Sequence, residues 1–156
     1  MRPRPEHLEH VRTLGVDLVL SMLWFAPPKE LAKPPFTLVR LPMIDYPLIP
    51  IPIPIPIPIP IPIWMLRRGV LAALPILDAG GRVLVYCRGG IHRSVAMACC
   101  ILIARGMSSD DAMDLVIRQR PVADARAGYI AARIRRFERD WRERAKSALD
   151  AAAEPR

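Results

Sequence analysis

The chain has 156 residues, 52% of them hydrophobic, which suits one folded domain with a sizeable core and excludes a wholly disordered protein. Its formal net charge of +8 at pH 7 favours anionic partners. Three cysteines, two of them adjacent, make no disulfide framework and fit a reducing compartment. The N-terminus has no apolar run of signal-peptide type, so we predict a cytoplasmic location.

Helices and strands alternate along the chain in the pattern of an α/β protein. The predicted elements, in chain order, are a helix at Glu6–Leu14, strands at Val16–Met22 and Phe36–Leu41, a helix at Leu66–Leu77, a strand at Arg82–Tyr86, and helices at Ser94–Arg105, Ser109–Gln119 and Asp124–Lys146. Pro75 is expected to end or kink the helix that contains it. This order predicts a central, mainly parallel sheet flanked by helices.

Residues 49–63 form an unbroken alternation of isoleucine and proline. Every second residue lacks a backbone N–H, and each isoleucine before a proline is kept out of the helical region. The tract therefore cannot cross a membrane, and we expect an extended, polyproline-II-like insert. A binding role for its exposed isoleucines stays open.

The organisation predicted from these features is one domain over residues 1–147, with the insert at 49–63, and a disordered tail over 148–156. Cationic side chains concentrate in the last helix: Arg133, Arg135, Arg136, Arg139, Arg142, Arg144 and Lys146. They are either a solvated helix face or a source of attraction for anionic substrates. Since no base-reading motif is present, specific nucleic-acid binding is not predicted.

The most informative segment begins where the strand that ends at Tyr86 meets Cys87. Six residues after Cys87, Arg93 opens a helix, and Ser94 follows it. A strand-loop-helix turn points backbone N–H groups and the positive end of a helix into one small concavity, which suits a phosphate-sized anion. Arg93 can hold two phosphate oxygens with its planar guanidinium, and Ser94 can hydrogen-bond the sulfur.

Cys87, Gly90, Arg93 and Ser94 match the loop signature of the cysteine-dependent protein tyrosine phosphatases, and the segment resembles the bacterial-type dual-specificity branch of that superfamily. Tyr86 departs from the pattern, because the family has histidine before the cysteine. Residues 38–47, 106–112 and 118–121 are similar to the family's acid loop and to helices behind its active site. Family relatives have a strand or hairpin before the first helix predicted here, so we expect the sheet to lack this N-terminal edge strand.

The resemblance implies a catalytic role for four residues and a phosphate-binding role for the loop. Cys87 is the expected nucleophile, Asp45 the general acid, Ser94 a partner of the sulfur and Arg93 a phosphate ligand. The expected phosphate-binding residues are Arg88, Gly89, Gly90, Ile91, His92 and Arg93. No cofactor or metal is expected. The expected partner is a phosphorylated protein or another phosphomonoester.

Each assignment has an alternative that the residues leave open. Asp45 is also compatible with a turn before Tyr46-Pro47, and Asp78 is the other upstream carboxylate. His92 is either a residue at the pocket rim or an idle, solvated one. The chain as a whole is alternatively a non-catalytic phosphate-binding module or a rhodanese-like sulfurtransferase, although the loop from Cys87 to Arg93 is longer than is typical of the latter.

Overall fold

The computed structural model describes residues 5–27, 29–43 and 61–153. In chain order the elements are α1 (Pro5–Thr13), β1 (Leu18–Ser21), a 3₁₀ helix (Lys29–Ala32), β2 (Thr37–Arg40), α2 (Ile63–Asp78), β3 (Val83–Tyr86), α3 (Arg93–Ala104), α4 (Ser109–Gln119) and α5 (Gly128–Ala153). Most of the 49–63 insert lies outside the described residues. Of its last three residues, Ile61 is buried, and Ile63 already begins α2, because no proline follows it to bar the helical conformation.

The three described strands form one parallel sheet in the order β2-β1-β3. β1 pairs with β2 through Leu18 to Thr37 and with β3 through Leu18 to Val83. The predicted parallel sheet flanked by helices is therefore confirmed. Within the described residues no strand precedes α1, and β3 lies at one side of the sheet. All strands end at the same edge, which we call the carboxyl edge (Ser21, Arg40 and Tyr86).

The central strand β1 is buried along its whole length because both faces of the sheet are covered. Leu18 and Leu20 join the larger apolar cluster, which includes buried residues of α2, α3 and α5. Val19 points to the opposite face and packs in a smaller cluster with Leu31 and Phe36. This two-sided burial explains why β1 reads as a continuous apolar run rather than as an alternating one.

Pro75 does not end α2, which continues to Asp78. Proline lacks the N–H that would bond the carbonyl of Leu71, and Leu71 is exposed, where water can satisfy that carbonyl. The last turn is closed by backbone bonds from Ala79 to the Pro75 carbonyl and from Gly81 to the Ile76 carbonyl. Of the two expected effects, an end or a kink, the proline does not produce an end of the helix.

The last helix differs from its predicted bounds at both ends. It begins at Gly128 instead of Asp124, because the Asp124 carboxylate accepts a bond from the Ala127 amide and stabilises a turn. It continues to Ala153, so the tail predicted to be disordered from residue 148 is helical as far as 153. Four of residues 148–153 are alanine, the residue with the highest helix propensity, which accounts for the extension.

The cationic residues of α5 are partly paired with acidic neighbours. Arg135 donates to Asp110 of α4 at 2.9 Å, and Arg142 and Arg144 contact Glu138 and Asp140 one turn earlier. These exposed pairs add little to stability. Within residues 5–27, 29–43 and 61–153, no helix combines the length and apolarity that crossing a bilayer requires.

Phe137 anchors α5 to the core, since its side chain is fully buried and stacks on Trp141 with ring centroids 5.6 Å apart. We expect Phe137→Ala to lower the free energy of unfolding by about 3–5 kcal/mol, the range typical of a buried phenylalanine. Urea unfolding followed by circular dichroism measures this change. Leu149→Ala, on the exposed side of the same helix, should change stability by less than about 0.5 kcal/mol. Equal losses in the two variants would contradict this packing.

Candidate active site

The loop between β3 and α3, residues 87–92, lies at the carboxyl edge of the sheet. It turns tightly enough for the Gly90 amide to reach back to the Cys87 sulfur at 3.3 Å. Gly90 has a positive φ of 68°, and a Cβ there would lie 2.7 Å from Nη2 of Arg120. Both the backbone conformation and the lack of space explain why glycine occupies this position.

The Cys87 thiol has two hydrogen-bond partners, one in the loop and one at the start of α3. Its sulfur lies 3.2 Å from the Ser94 hydroxyl, as the sequence predicted, and 3.3 Å from the Gly90 nitrogen. Burial by itself would raise the pKa of this thiol. The hydrogen bonds from Ser94 and Gly90 and the charge of Arg93 outweigh burial, so the pKa of Cys87 is lowered. At neutral pH a larger fraction of Cys87 is therefore thiolate than in a cysteine with an ordinary pKa.

The other two cysteines lie in α3 and behave in the opposite way. Burial raises the pKa of Cys99 to about 12 and that of Cys100 well above its usual value. All three cysteines are free thiols. Only Cys87 therefore combines partial exposure with a lowered pKa, the pair of properties expected of a nucleophile.

Arg93, the first residue of α3, is buried and ties together the segments that follow all three strands. Its Nη1 donates to the carbonyl of Met22 at 2.9 Å and to that of Met43 at 2.8 Å. A buried guanidinium needs such partners, because an unsatisfied charge would be costly. These two bonds hold the planar group in one orientation beside the loop that contains Cys87.

Asp45 lies outside the described residues. The nearest described residue on its N-terminal side is Met43, whose carbonyl is bound by Arg93. The chain therefore approaches the Cys87 loop two residues before Asp45. Asp78, the other upstream carboxylate, ends α2 at the opposite edge of the sheet, where β3 begins.

His92 is not an idle, solvated residue, because its ring contacts the connection between α4 and α5. The ring centroid lies 5.5 Å from that of Tyr129, and Nε2 lies 3.8 Å from the Asp124 carboxylate. Next to it, the Ile91 carbonyl accepts a bond from the Asp124 amide at 3.0 Å. The C-terminal half of the loop is thus fastened to the start of α5.

Arg120 supports the loop from the end of α4, and the sequence did not assign it. Its Nε donates to the Gly90 carbonyl at 3.1 Å. Asp124 and Tyr129 were also missed as supports of the loop. A Gln-Arg-Pro sequence at a helix end carries no signal for this role, because the contact joins residues thirty positions apart.

A cavity of about 390 Å³ opens beside Cys87. Its lining combines loop residues with apolar side chains of three elements: Val85, Tyr86, Cys87, Arg88, Gly89, Gly90, Ser94, Val95, Ala98, Val116 and Arg120. Ile91, His92 and Arg93 are not part of this lining. In the part of the chain that the structure describes, no group of three histidine, cysteine or acidic residues is placed to hold a metal ion.

Tyr86, which replaces the expected histidine, packs against the smaller apolar cluster. Burial raises the pKa of its phenol, so the side chain is neutral at pH 7. The groups that lower the pKa of Cys87 are Ser94, Gly90 and Arg93. Activation of this thiol therefore does not depend on a histidine at position 86.

The fold just described is that of the cysteine-dependent protein tyrosine phosphatases. Solved structures with TM-scores from 0.64 to 0.73 match it over most of this chain. No protein-family model matches the sequence, and no curated protein sequence does.

The particular structures it is similar to are dual-specificity phosphatases and related proteins. Human DUSP28 is 25% identical, with a TM-score of 0.69 over 87% of this chain and 86% of its own. A mouse protein described as a dual specificity phosphatase, in complex with zinc tungstate, is 26% identical, with a TM-score of 0.69 over 88% of this chain and 79% of its own. PTPMT1 in complex with PI(5)P is 21% identical, with a TM-score of 0.73 over 92% of this chain and 90% of its own.

These likenesses confirm the resemblance that the loop predicted and support a phosphatase activity. They do not favour the sulfurtransferase or the non-catalytic module. The bacterial-type assignment within the branch and the role of each site residue stay predictions.

Ser94→Ala removes the hydrogen bond that contributes most to lowering the pKa of Cys87. We expect the pKa of this thiol to rise, so that the midpoint of its alkylation by iodoacetamide moves to higher pH. Wild type should have a midpoint below the value of about 8.5 found for a free cysteine. The exposed Ser147→Ala, in α5, is the matched control and should leave the midpoint unchanged. An unshifted midpoint in Ser94→Ala would show that the hydroxyl does not stabilise the thiolate.

Proposed function

We propose that this protein is a cysteine-dependent phosphatase that hydrolyses phosphotyrosine, and also phosphoserine and phosphothreonine, through a cysteinyl-phosphate intermediate. The observation that carries this proposal is the lowered pKa of Cys87 within a loop of donor groups at a helix start. A thiolate at this position is a strong nucleophile, and it faces a concavity in which an anion can bind.

In the first step the Cys87 sulfur attacks phosphorus, a sulfur–phosphorus bond forms, and the bond from phosphorus to the leaving oxygen breaks. Backbone amides of residues 88–93 and the guanidinium of Arg93 stabilise the charge on the phosphoryl oxygens. The bonds from Arg93 to Met22 and Met43 support this role, because they orient the group before substrate arrives. Orientation in advance reduces the reorganisation needed in the transition state.

Ser94 has a role in the second step, in which water attacks the phosphorus of the intermediate and the sulfur leaves as a thiolate. Its hydroxyl, 3.2 Å from the sulfur, stabilises the departing anion. Inorganic phosphate is then released and the loop returns to its starting state. The reaction consumes one phosphomonoester and one water, and it yields an alcohol and phosphate.

Asp45 is our proposed general acid toward the leaving oxygen and then the base toward water. The proposal rests on the resemblance of residues 38–47 to the family's acid loop and on the contact between Arg93 and Met43. Asp78 is a poor alternative, because α2 and β3 place it at the edge of the sheet away from Cys87.

The proposed substrates are phosphorylated proteins, with a phospholipid as the other class that the comparisons suggest. PTPMT1 was solved with PI(5)P, which is a lipid phosphomonoester, whereas other neighbours are named as dual-specificity phosphatases. The three free thiols also support the predicted cytoplasmic location, since a reducing compartment preserves a catalytic thiolate.

Cys87→Ser tests the proposed nucleophile. We expect the variant to lose all measurable hydrolysis of para-nitrophenyl phosphate, because a serine hydroxyl at neutral pH is not ionised and attacks poorly. Wild type should be inhibited by vanadate, and the variant should still bind this oxyanion. Cys99→Ser, in the buried part of α3, is the control and should retain turnover. Undiminished turnover in Cys87→Ser would refute the mechanism.

Asp45→Asn tests the general acid. Loss of the transferable proton should lower kcat by about 10²–10⁴ for a substrate with a poor leaving group, such as a phosphorylated serine peptide. The loss should be much smaller for para-nitrophenyl phosphate, whose leaving group needs little protonation. Asp78→Asn should leave both rates unchanged. If Asp78→Asn instead shows the selective loss, the acid has been assigned to the wrong carboxylate.

A further inference from the structure

Among the residues that the structure describes, three large aromatic side chains are exposed to solvent, and all of them belong to segments at the carboxyl edge. Trp24 is 55% exposed, Phe25 is 76% exposed and Trp64 is 59% exposed. We call this set the aromatic rim. Aromatic side chains are normally buried, so exposure of this much aromatic surface indicates a binding surface.

Trp24 and Phe25 follow the end of β1, close to the buried arginine of the Cys87 loop. The Met22 carbonyl accepts a bond from Arg93 at 2.9 Å, and the Met22 amide donates to Tyr86 at the end of β3. Trp24 lies two residues further along, a span of at most about 7 Å. These two aromatic residues therefore stand beside the loop that holds Cys87.

Trp64 reaches the same edge from the second residue of α2. This helix runs from there toward the start of β3. Its Gly69 packs against Leu41, the residue that follows β2. Five residues of helix rise by about 7.5 Å. Trp64 therefore lies beyond the end of β2, on the side of the sheet where Cys87 is found.

Two aliphatic side chains continue the exposed apolar surface around the loop. Ile91, within the loop, is exposed, and so is Val122, two residues before the Asp124 amide that bonds the Ile91 carbonyl. The other large exposed apolar residues of the described chain lie elsewhere: Leu14 before β1, Leu71 in the middle of α2 and Leu149 in α5. Within the described ranges, the large exposed aromatic side chains thus all lie at the edge that carries the proposed catalytic cysteine.

Positive charge accompanies this surface. Exposed arginines of the same edge are Arg40 at the end of β2, Arg68 near the start of α2, Arg88 in the loop and Arg120 at the end of α4. The chain as a whole carries a net charge of +8. Tryptophan and phenylalanine together with arginine form the combination that seats a peripheral protein at the surface of an anionic bilayer.

We propose that the aromatic rim docks this protein onto an anionic phospholipid membrane, with the Cys87 loop facing the headgroups. The inference deepens the proposed phosphatase function, on which it rests, by favouring the second of the two substrate classes, a phospholipid phosphomonoester held at a bilayer surface. The aromatic residues come from two separate segments, one after β1 and one beyond the end of β2, on one side of the Cys87 loop. Separate apolar side chains next to positive charge are enough for insertion into a bilayer surface. A phosphopeptide, by contrast, is better bound by a continuous groove.

The test is binding to vesicles of phosphatidylcholine, with and without phosphatidylserine, measured by cosedimentation. Wild type should bind the mixed vesicles, with binding that weakens as salt concentration rises. The triple variant Trp24→Ser, Phe25→Ser and Trp64→Ser should bind at least about tenfold more weakly, because it loses the apolar insertion. The matched control replaces Leu14, Leu71 and Leu149 by serine and should bind like wild type.

Two further measurements separate the docking surface from the chemistry. Cys87→Ser should bind mixed vesicles like wild type, so binding is measured whether or not the phosphatase proposal holds. The aromatic triple variant should hydrolyse soluble para-nitrophenyl phosphate at the wild-type rate, which also shows that it is folded. On a lipid phosphomonoester within mixed vesicles, its rate should fall by the same factor as its binding.

Several outcomes would overturn the docking proposal. Equal vesicle binding by wild type and the aromatic triple variant is one, and an equal loss in the leucine control is another. Loss of activity toward a soluble phosphopeptide, with vesicle binding intact, would assign the rim to a protein substrate. Self-association of wild type that the triple variant lacks, without vesicle binding, would assign it to a second copy of the chain.

Discussion

The buried guanidinium of Arg93 is the interaction on which the rest of this structure depends. A charge that is 5% exposed has to be satisfied by protein groups, and its Nη1 uses the carbonyls of Met22 and Met43 for this. Since Arg93 opens α3 directly after the cysteine loop, the two bonds join the ends of β1 and β2 to the segment that follows β3. Parallel strands bring these ends to one edge, and Arg93 fastens them there.

The pKa of Cys87 is also set by groups close to its sulfur. Burial opposes ionisation of the sulfur, yet the Ser94 hydroxyl, two backbone amides and the nearby guanidinium together reverse this effect. Gly90 contributes to this arrangement, because its amide reaches the sulfur at 3.3 Å and its positive φ is a conformation that glycine adopts readily. At Cys99 and Cys100 burial is the largest effect, and it raises the pKa of both thiols.

Support for the loop also comes from residues far along the chain. Arg120 bonds the Gly90 carbonyl, the Asp124 amide bonds the Ile91 carbonyl, and Tyr129 packs on His92. The connection between α4 and α5 thereby forms one wall of the site. The aromatic rim lies on the other segments of the same edge. The proposed catalytic residues and the proposed docking surface thus lie at the same edge, because the three parallel strands all end there.

The sequence by itself determined the local features, because their causes are local. Apolar strand patterns, the glycines of the loop and the spacing from Cys87 to Arg93 and Ser94 predicted the parallel sheet, the turn and the contact between Ser94 and the sulfur. The predicted bounds differed from the structure at the alanine-rich end of α5, whose composition favours helix, and Pro75 lies inside α2 without ending it. Only the tertiary structure decided that Arg93 binds Met22 and Met43, that Arg120 supports Gly90 and that the exposed tryptophans share the edge with Cys87. These relations join residues distant along the chain, and their positions follow from strand order and helix direction, which no short motif encodes.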